Sequence, residues 1–85
     1  MNTNYCRVCG LYHVDKPYGD DGECPTHEIC SCCNVEFGYE DYTIKSTLKF
    51  RKKWFEDGAN WSNKKTKPED WKLEEQLKNI PQDFL

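Results

Sequence analysis

Cys6-Arg7-Val8-Cys9-Gly10 and, further along, Cys30-Ser31-Cys32-Cys33-Asn34 are the two stretches that decide the fold. The pairs Cys6/Cys9 and Cys30/Cys33 each enclose two residues, and twenty residues separate one pair from the other. That pattern reads as a zinc site. A two-residue spacer lets both sulfurs of one tight turn point at a common centre, with the turn's backbone N–H groups free to donate to them. Two such turns brought together make a tetrahedral four-sulfur cage, which zinc accepts readily. Gly10 permits the left-handed backbone that follows such a turn. Asn34 stands at the equivalent place after the second pair and tolerates that conformation next best. One structural zinc ion on Cys6, Cys9, Cys30 and Cys33 is the expectation; an iron–sulfur centre, a redox dithiol and disulfides are the alternatives.

Two cysteines remain. Cys32 stands beside Cys33 and competes for the same ligand position, but the two-residue spacing selects Cys33. Cys24-Pro25-Thr26-His27 forms a second metal-compatible pair, and Cys24, His27 and Cys32 are therefore alternative ligands. His13 has no partner at ligand spacing. A four-thiolate site leaves no vacant position for water or substrate, so its default role is structural. The chain carries no phosphate-cradling glycine loop, nucleophile elbow or paired His-Glu metal motif. It reads as a binding protein rather than an enzyme.

Working outward, 85 residues make one small domain, 1–85, with a cysteine-turn half at 1–42 and a helical half at 43–85. Chains of this size often need a metal or disulfide to supplement the core. With hydrophobic residues at 36% and charged residues at 32%, the three Trp, five Tyr and four Phe must supply much of it. The start, Met1-Asn2-Thr3-Asn4-Tyr5-Cys6, has neither a basic opening nor an apolar run, and no stretch approaches a membrane span. A reducing, cytoplasmic setting follows, where six cysteines favour metal over disulfides.

Residues 15–28 read as an acidic loop, with Pro17, Gly19, Gly22 and Pro25 as turn formers. Val35 to Tyr39 alternates at period two, which predicts a short strand. A helix is predicted over 43–57, with Ile44, Thr47, Leu48, Arg51, Trp54 and Phe55 on its inner stripe, Glu40 and Asp41 before its N-terminus and Gly58 as its stop. A second helix is predicted from about Pro68 to Asn79, turning Trp71, Leu73 and Leu77 inward. The expected architecture is small α+β: a zinc-ribbon-like N-terminal half with short strands, followed by two helices.

Tyr5-Cys6-Arg7-Val8-Cys9-Gly10 and Glu28-Ile29-Cys30-Ser31-Cys32-Cys33-Asn34-Val35-Glu36-Phe37-Gly38-Tyr39-Glu40-Asp41 resemble small bacterial and phage-borne cysteine-rich proteins of the CPCC type. The run Trp71 to Leu77, ending at Ile80-Pro81, is similar to the C-terminal part of that group. Ser31 stands where the motif has proline and Asn34 where glycine is common, and neither change removes a ligand. The resemblance implies a zinc-binding fold and a bacterial or phage origin; it supplies no activity.

Charge is segregated. Residues 1–42 carry a net charge of −6, residues 43–67 one of +6, and residues 68–85 one of −3. Two function classes fit. The first is a protein-binding module, regulatory or neutralising in the manner of an immunity protein or inhibitor, with Tyr18, Asp20, Asp21 and Trp61 as contact residues. The second is nucleic-acid binding through Lys45, Lys49, Arg51, Lys52, Lys53, Lys64, Lys65 and Lys67, with Trp61 stacking on a base. The pI near 5.3 and the acidic first half oppose the second.

Overall fold

Two cysteine turns of identical design open the computed structural model, which describes residues 4–85. Met1, Asn2 and Thr3, the beginning of the unadorned start noted above, lie outside the described residues. In the first turn the Cys6 N–H donates to Leu11 O and the Gly10 N–H to Cys6 O, both at 2.9 Å. In the second, the Cys30 N–H donates to Val35 O and the Asn34 N–H to Cys30 O, again at 2.9 Å. A further bond closes each hairpin at the same register, His13 N–H to Asn4 O and Phe37 N–H to Glu28 O. Gly10 and Asn34 hold the matching left-handed positions at φ 82° and 71°.

Sheet formation stops there, and this corrects the zinc-ribbon expectation. Among the described residues the only extended pairings are two isolated antiparallel bridges, Tyr5 with Tyr12 and Ile29 with Glu36. The alternation at 35–39 did mark burial, since Val35 and Phe37 are both interior. The ladder ends because Gly38 turns the chain at φ 100° and its N–H goes to the Asp41 carboxylate at 2.8 Å instead of to a neighbouring strand.

Helix α1 runs Ile44–Glu56. Thr43 caps it: its side chain accepts from the Ser46 N–H at 3.1 Å, and the Ser46 hydroxyl accepts from the Thr43 N–H at 3.2 Å, a reciprocal box. The upstream acids serve elsewhere, since Glu40 accepts from the Glu36 N–H and Asp41 is buried. The helix buries Thr47, Arg51 and Trp54, and leaves Ile44, Leu48 and Phe55 exposed, so the inward face is rotated from the one the apolar pattern predicts. Arg51 fixes that rotation. Its guanidinium donates to Val8 O and Arg7 O, both at 2.7 Å, and to Phe84 O at 2.5 Å.

Helix α2, Leu73–Leu77, is much shorter than predicted. Pro68 to Lys72 stay outside it because Trp71 serves two tertiary partners. Its ring meets Trp61 edge-on at 5.4 Å, and its Nε1–H donates to the Gln76 side chain at 2.8 Å. Short 3-10 turns at Lys64–Thr66 and Gln82–Phe84 complete the elements. The segment between the helices is tied to the second cysteine turn, with the Ser62 and Asn63 N–H groups donating to Cys32 O and Ser31 O at 2.8 Å.

A methyl group at Gly10 would overlap the Gln76 carbonyl, whereas one at Gly22 would meet nothing within 4 Å, although both glycines have positive φ. Gly22→Ala is expected to cost about 1 to 2 kcal/mol for the left-handed backbone alone. Gly10→Ala adds overpacking and should cost roughly 3 kcal/mol or more. Urea unfolding of the two variants under one set of metal conditions measures the difference.

Candidate metal centre

The two matched turns face each other. The sulfurs of Cys6, Cys9, Cys30 and Cys33 all lie within 4.8 Å of one another, with Cys6–Cys33 and Cys9–Cys30 each at 3.7 Å. Four thiolates about 2.3 Å from a central ion, at the corners of a tetrahedron, are about 3.8 Å apart. The cage therefore has the size and the donor chemistry of a four-thiolate metal site, suited to zinc or a single iron. All six cysteines are free thiols. Cys6, Cys9 and Cys30 are fully buried and Cys33 is 3% exposed.

Electrostatics lead to the same ligand class. Burial pushes the Cys9 and Cys33 thiols well above their ordinary value, while contacts with Cys33, Cys6 and Cys9 hold the Cys30 thiol far below it. An interior without a cation resists four thiolates side by side; a divalent ion removes that resistance. Arg51 is the guanidinium nearest to hand. Burial pulls it down from its ordinary value, and the sulfurs of Cys6, Cys9 and Cys33 push it back up. It thus supplies positive charge beside a cage that stays net negative when a divalent ion fills it.

The polar support around the cage was not legible in the sequence. Gln76 Nε2 donates to Cys9 O at 3.1 Å and to Cys32 Sγ at 3.3 Å, linking α2 to both cysteine turns. Nothing in local spacing marks a glutamine that lies 67 residues from its acceptor. Arg51 fell on the predicted inner stripe and among the candidate nucleic-acid contacts, whereas its guanidinium is bonded inward to distant carbonyls. His13 packs edge-on against Phe37 at 4.9 Å with its Nε2 buried.

The alternative ligands lie outside the group of four mutually close sulfurs, although the Cys32 thiol adjoins that of Cys9. Cys32 is fully buried and held by Gln76. Cys24 and His27 are exposed; the Cys24 thiol faces the Asp21 carboxylate at 3.6 Å, whose charge pushes it up.

Two of the expected contact residues belong to the interior. Tyr18 is 4% exposed: its hydroxyl donates to Asp41 at 2.5 Å, and the Arg7 guanidinium lies 3.5 Å over its ring. Trp61 is also 4% exposed, donating to the Thr66 hydroxyl at 3.0 Å. Both were expected at the surface because they sit in loop-like sequence; the small core recruits them because it has few aliphatic side chains. Asp20 and Asp21 are exposed and line a cleft of about 820 Å³ with Arg7, Lys16 and Phe84. Lys45, Lys49, Lys52, Lys64 and Lys65 are exposed, and Lys53 pairs with Asp57 at 3.1 Å. No helix among the described residues is long and apolar enough to cross a membrane.

No family model and no solved structure matches the chain. It is similar to the uncharacterized protein YozI of Bacillus subtilis, with 33% identity over 90 aligned residues covering 87% of this chain and 69% of that protein. The likeness to the CPCC type rests on the residues quoted for it and not on a matching family.

Metal analysis of the purified protein is expected to return one tetrathiolate-bound ion per chain. Cys9→Ser should lose it, while Cys24→Ser and Cys32→Ser should keep the stoichiometry at one. Apparent binding energies of about 10 to 16 kcal/mol for such sites exceed or match the roughly 5 to 15 kcal/mol of net stability of ordinary domains. A strong chelator should therefore abolish the cooperative unfolding transition seen by circular dichroism.

Proposed function

We propose that this chain, which belongs to the family of the Bacillus subtilis protein YozI, is a protein-binding module whose fold is held by one structural zinc ion, and that it regulates or neutralises a partner protein instead of catalysing a reaction. The observation that carries this reading is the closure of the cage. Four buried sulfurs satisfy a tetrahedral ion completely and leave no coordination position for a substrate. Zinc is favoured over iron because it needs no redox partner and is the usual occupant of paired Cys-x-x-Cys turns. Six free thiols suit a reducing cytoplasm.

With the cage read as structural, function passes to the surface. That surface keeps several large apolar side chains in water: Tyr39 at 71%, Tyr42 at 65% and Ile44 at 51% exposed. Exposed aromatic and aliphatic groups on a rigid scaffold suit protein contact. Asp20 and Asp21, on the rim of the cleft, offer a second polar contact region.

Nucleic-acid binding by Lys45, Lys49, Lys52, Lys53, Lys64 and Lys65 is the lesser reading. It keeps its exposed lysines but loses its stacking residue, because Trp61 is buried. The test is affinity capture from a bacterial lysate with the metal-loaded protein, alongside oligonucleotide titration at low salt. One stoichiometric protein partner, absent when Cys9→Ser is the bait, is expected. Failure to capture any partner, together with oligonucleotide binding of steep salt dependence that Lys49→Glu removes, would overturn the reading in favour of the second.

A further inference from the structure

The outer face of α1 carries an apolar seam left about half in water, with Phe55 also stacked on the Trp54 ring at 5.5 Å. At 100° per residue, Ile44, Leu48 and Phe55 lie within about 40° of one another on the helix. They are 51%, 39% and 44% exposed, while Thr47 and Trp54 on the adjoining sector are buried against the body of the protein. Ile44 and Leu48 form an i, i+4 ridge of the kind that packs into the groove of a second helix. Phe55 continues the seam, about 16 Å along the axis from Ile44.

Heptad positions specify the charge of the missing partner. With Leu48 at a, Ile44 falls at d, Arg51 at d and Phe55 at a, and Lys45 and Lys52 both fall at e. The g positions, Thr47 and Trp54, and the d residue Arg51 face the protein's own core, so the exposed seam consists of Ile44, Leu48 and Phe55 alone. A helix lying on this seam therefore meets the protein body on one flank and a lysine row on the other. Among the described residues, Lys45 and Lys52 have no ion-pair partner, and neither has Lys49 further round the helix. Residues at e select partners by charge.

We propose that α1 docks an acidic amphipathic helix of a partner protein, seated along Ile44, Leu48 and Phe55 with its carboxylates facing Lys45 and Lys52. This rests on the protein-binding reading above and adds the surface and the chemistry of the partner. A second copy of this chain is disfavoured, because antiparallel pairing of two α1 helices opposes lysine with lysine. An anionic membrane is disfavoured because the seam is narrow and one flank is occupied by the protein itself, whereas interfacial helices immerse a broad apolar face. Phosphate-tracking nucleic acid has no use for an aliphatic ridge between the lysines.

The experiment uses the metal-loaded full chain and a synthetic three-heptad helix with Leu at a and d and Glu at e and g, followed by fluorescence anisotropy. One-to-one binding is expected. Leu48→Asp should weaken it about tenfold or more, a loss typical of a central contact residue. Lys45→Glu with Lys52→Glu should weaken it by about tenfold and flatten its salt dependence. The same peptide with Lys replacing Glu should bind about tenfold less tightly. Lys78→Glu, on the other helix's C-cap, should bind as wild type. Because Leu48 is partly exposed, Leu48→Asp is expected to keep its metal and its circular dichroism spectrum, and Phe55→Asp provides an independent second variant. Absent peptide binding, or binding unchanged by both Leu48→Asp and Phe55→Asp, overturns the proposal. So does binding through these residues to phosphatidylserine vesicles or to a single-stranded oligonucleotide with the peptide silent, or α1-dependent dimerisation in sedimentation. If Leu48→Asp still captures the lysate partner, the seam is wrong while the protein-binding reading stands; if no variant or wild-type protein captures one, that reading itself falls.

Discussion

Convergence of four sulfurs at one buried point governs the rest of this molecule, because two short turns with little apolar surface have no other reason to meet. Each turn satisfies its own backbone through the same three hydrogen bonds. What remains is to hold one turn against the other, and the four sulfurs, at 3.7 Å across the gap, are placed where a metal ion could do so. A hydrophobic core alone would be a poor substitute. The interior here is built largely from cysteine, with Val8, Val35 and Phe37 packed beside the cage.

The helical half acts as a polar strap over that cage. Arg51 takes carbonyls from the first cysteine turn and from the C-terminal segment, and Gln76 takes one from the first turn and the sulfur of Cys32 in the second. Buried donors of this kind are costly when unpaired and specific when paired. They therefore fix how α1 and α2 are rotated more firmly than apolar contact would. The same logic locks the acidic loop. Tyr18 carries it inward, donating to Asp41, while Arg7 lies between the rings of Tyr18 and Phe84. Burial pushes the Asp41 carboxyl up, and the Tyr18 hydroxyl, the Gly38 N–H and Arg7 draw it back.

This economy explains the surface. A chain with few aliphatic residues spends its loop aromatics, Tyr18 and Trp61, on the interior and rotates α1 so that Arg51 points inward. The displaced apolar residues of α1 then face water beside a lysine row. An apolar stripe on the wrong side of a helix is a packing error in an isolated protein and an interface in one that has a partner.

By itself the sequence determined the local features. The two-residue spacing named the four cysteines whose sulfurs come together, since a tight turn is specified within a few residues. Gly58 marked the end of α1 for the same reason, as a stop acts over one helical turn, whereas the Thr43–Ser46 box that opens the helix was not read from the sequence. Tertiary structure alone decided the absence of a sheet among the described residues, the shortness of α2, the inward face of α1 and the burial of Tyr18 and Trp61. The inward face of α1 and the docking of α2 turn on partners far away in the chain, 43 residues between Arg51 and Val8 and 67 between Gln76 and Cys9. Periodicity reports that a face is apolar, but a buried hydrogen bond to a distant carbonyl selects which face turns inward.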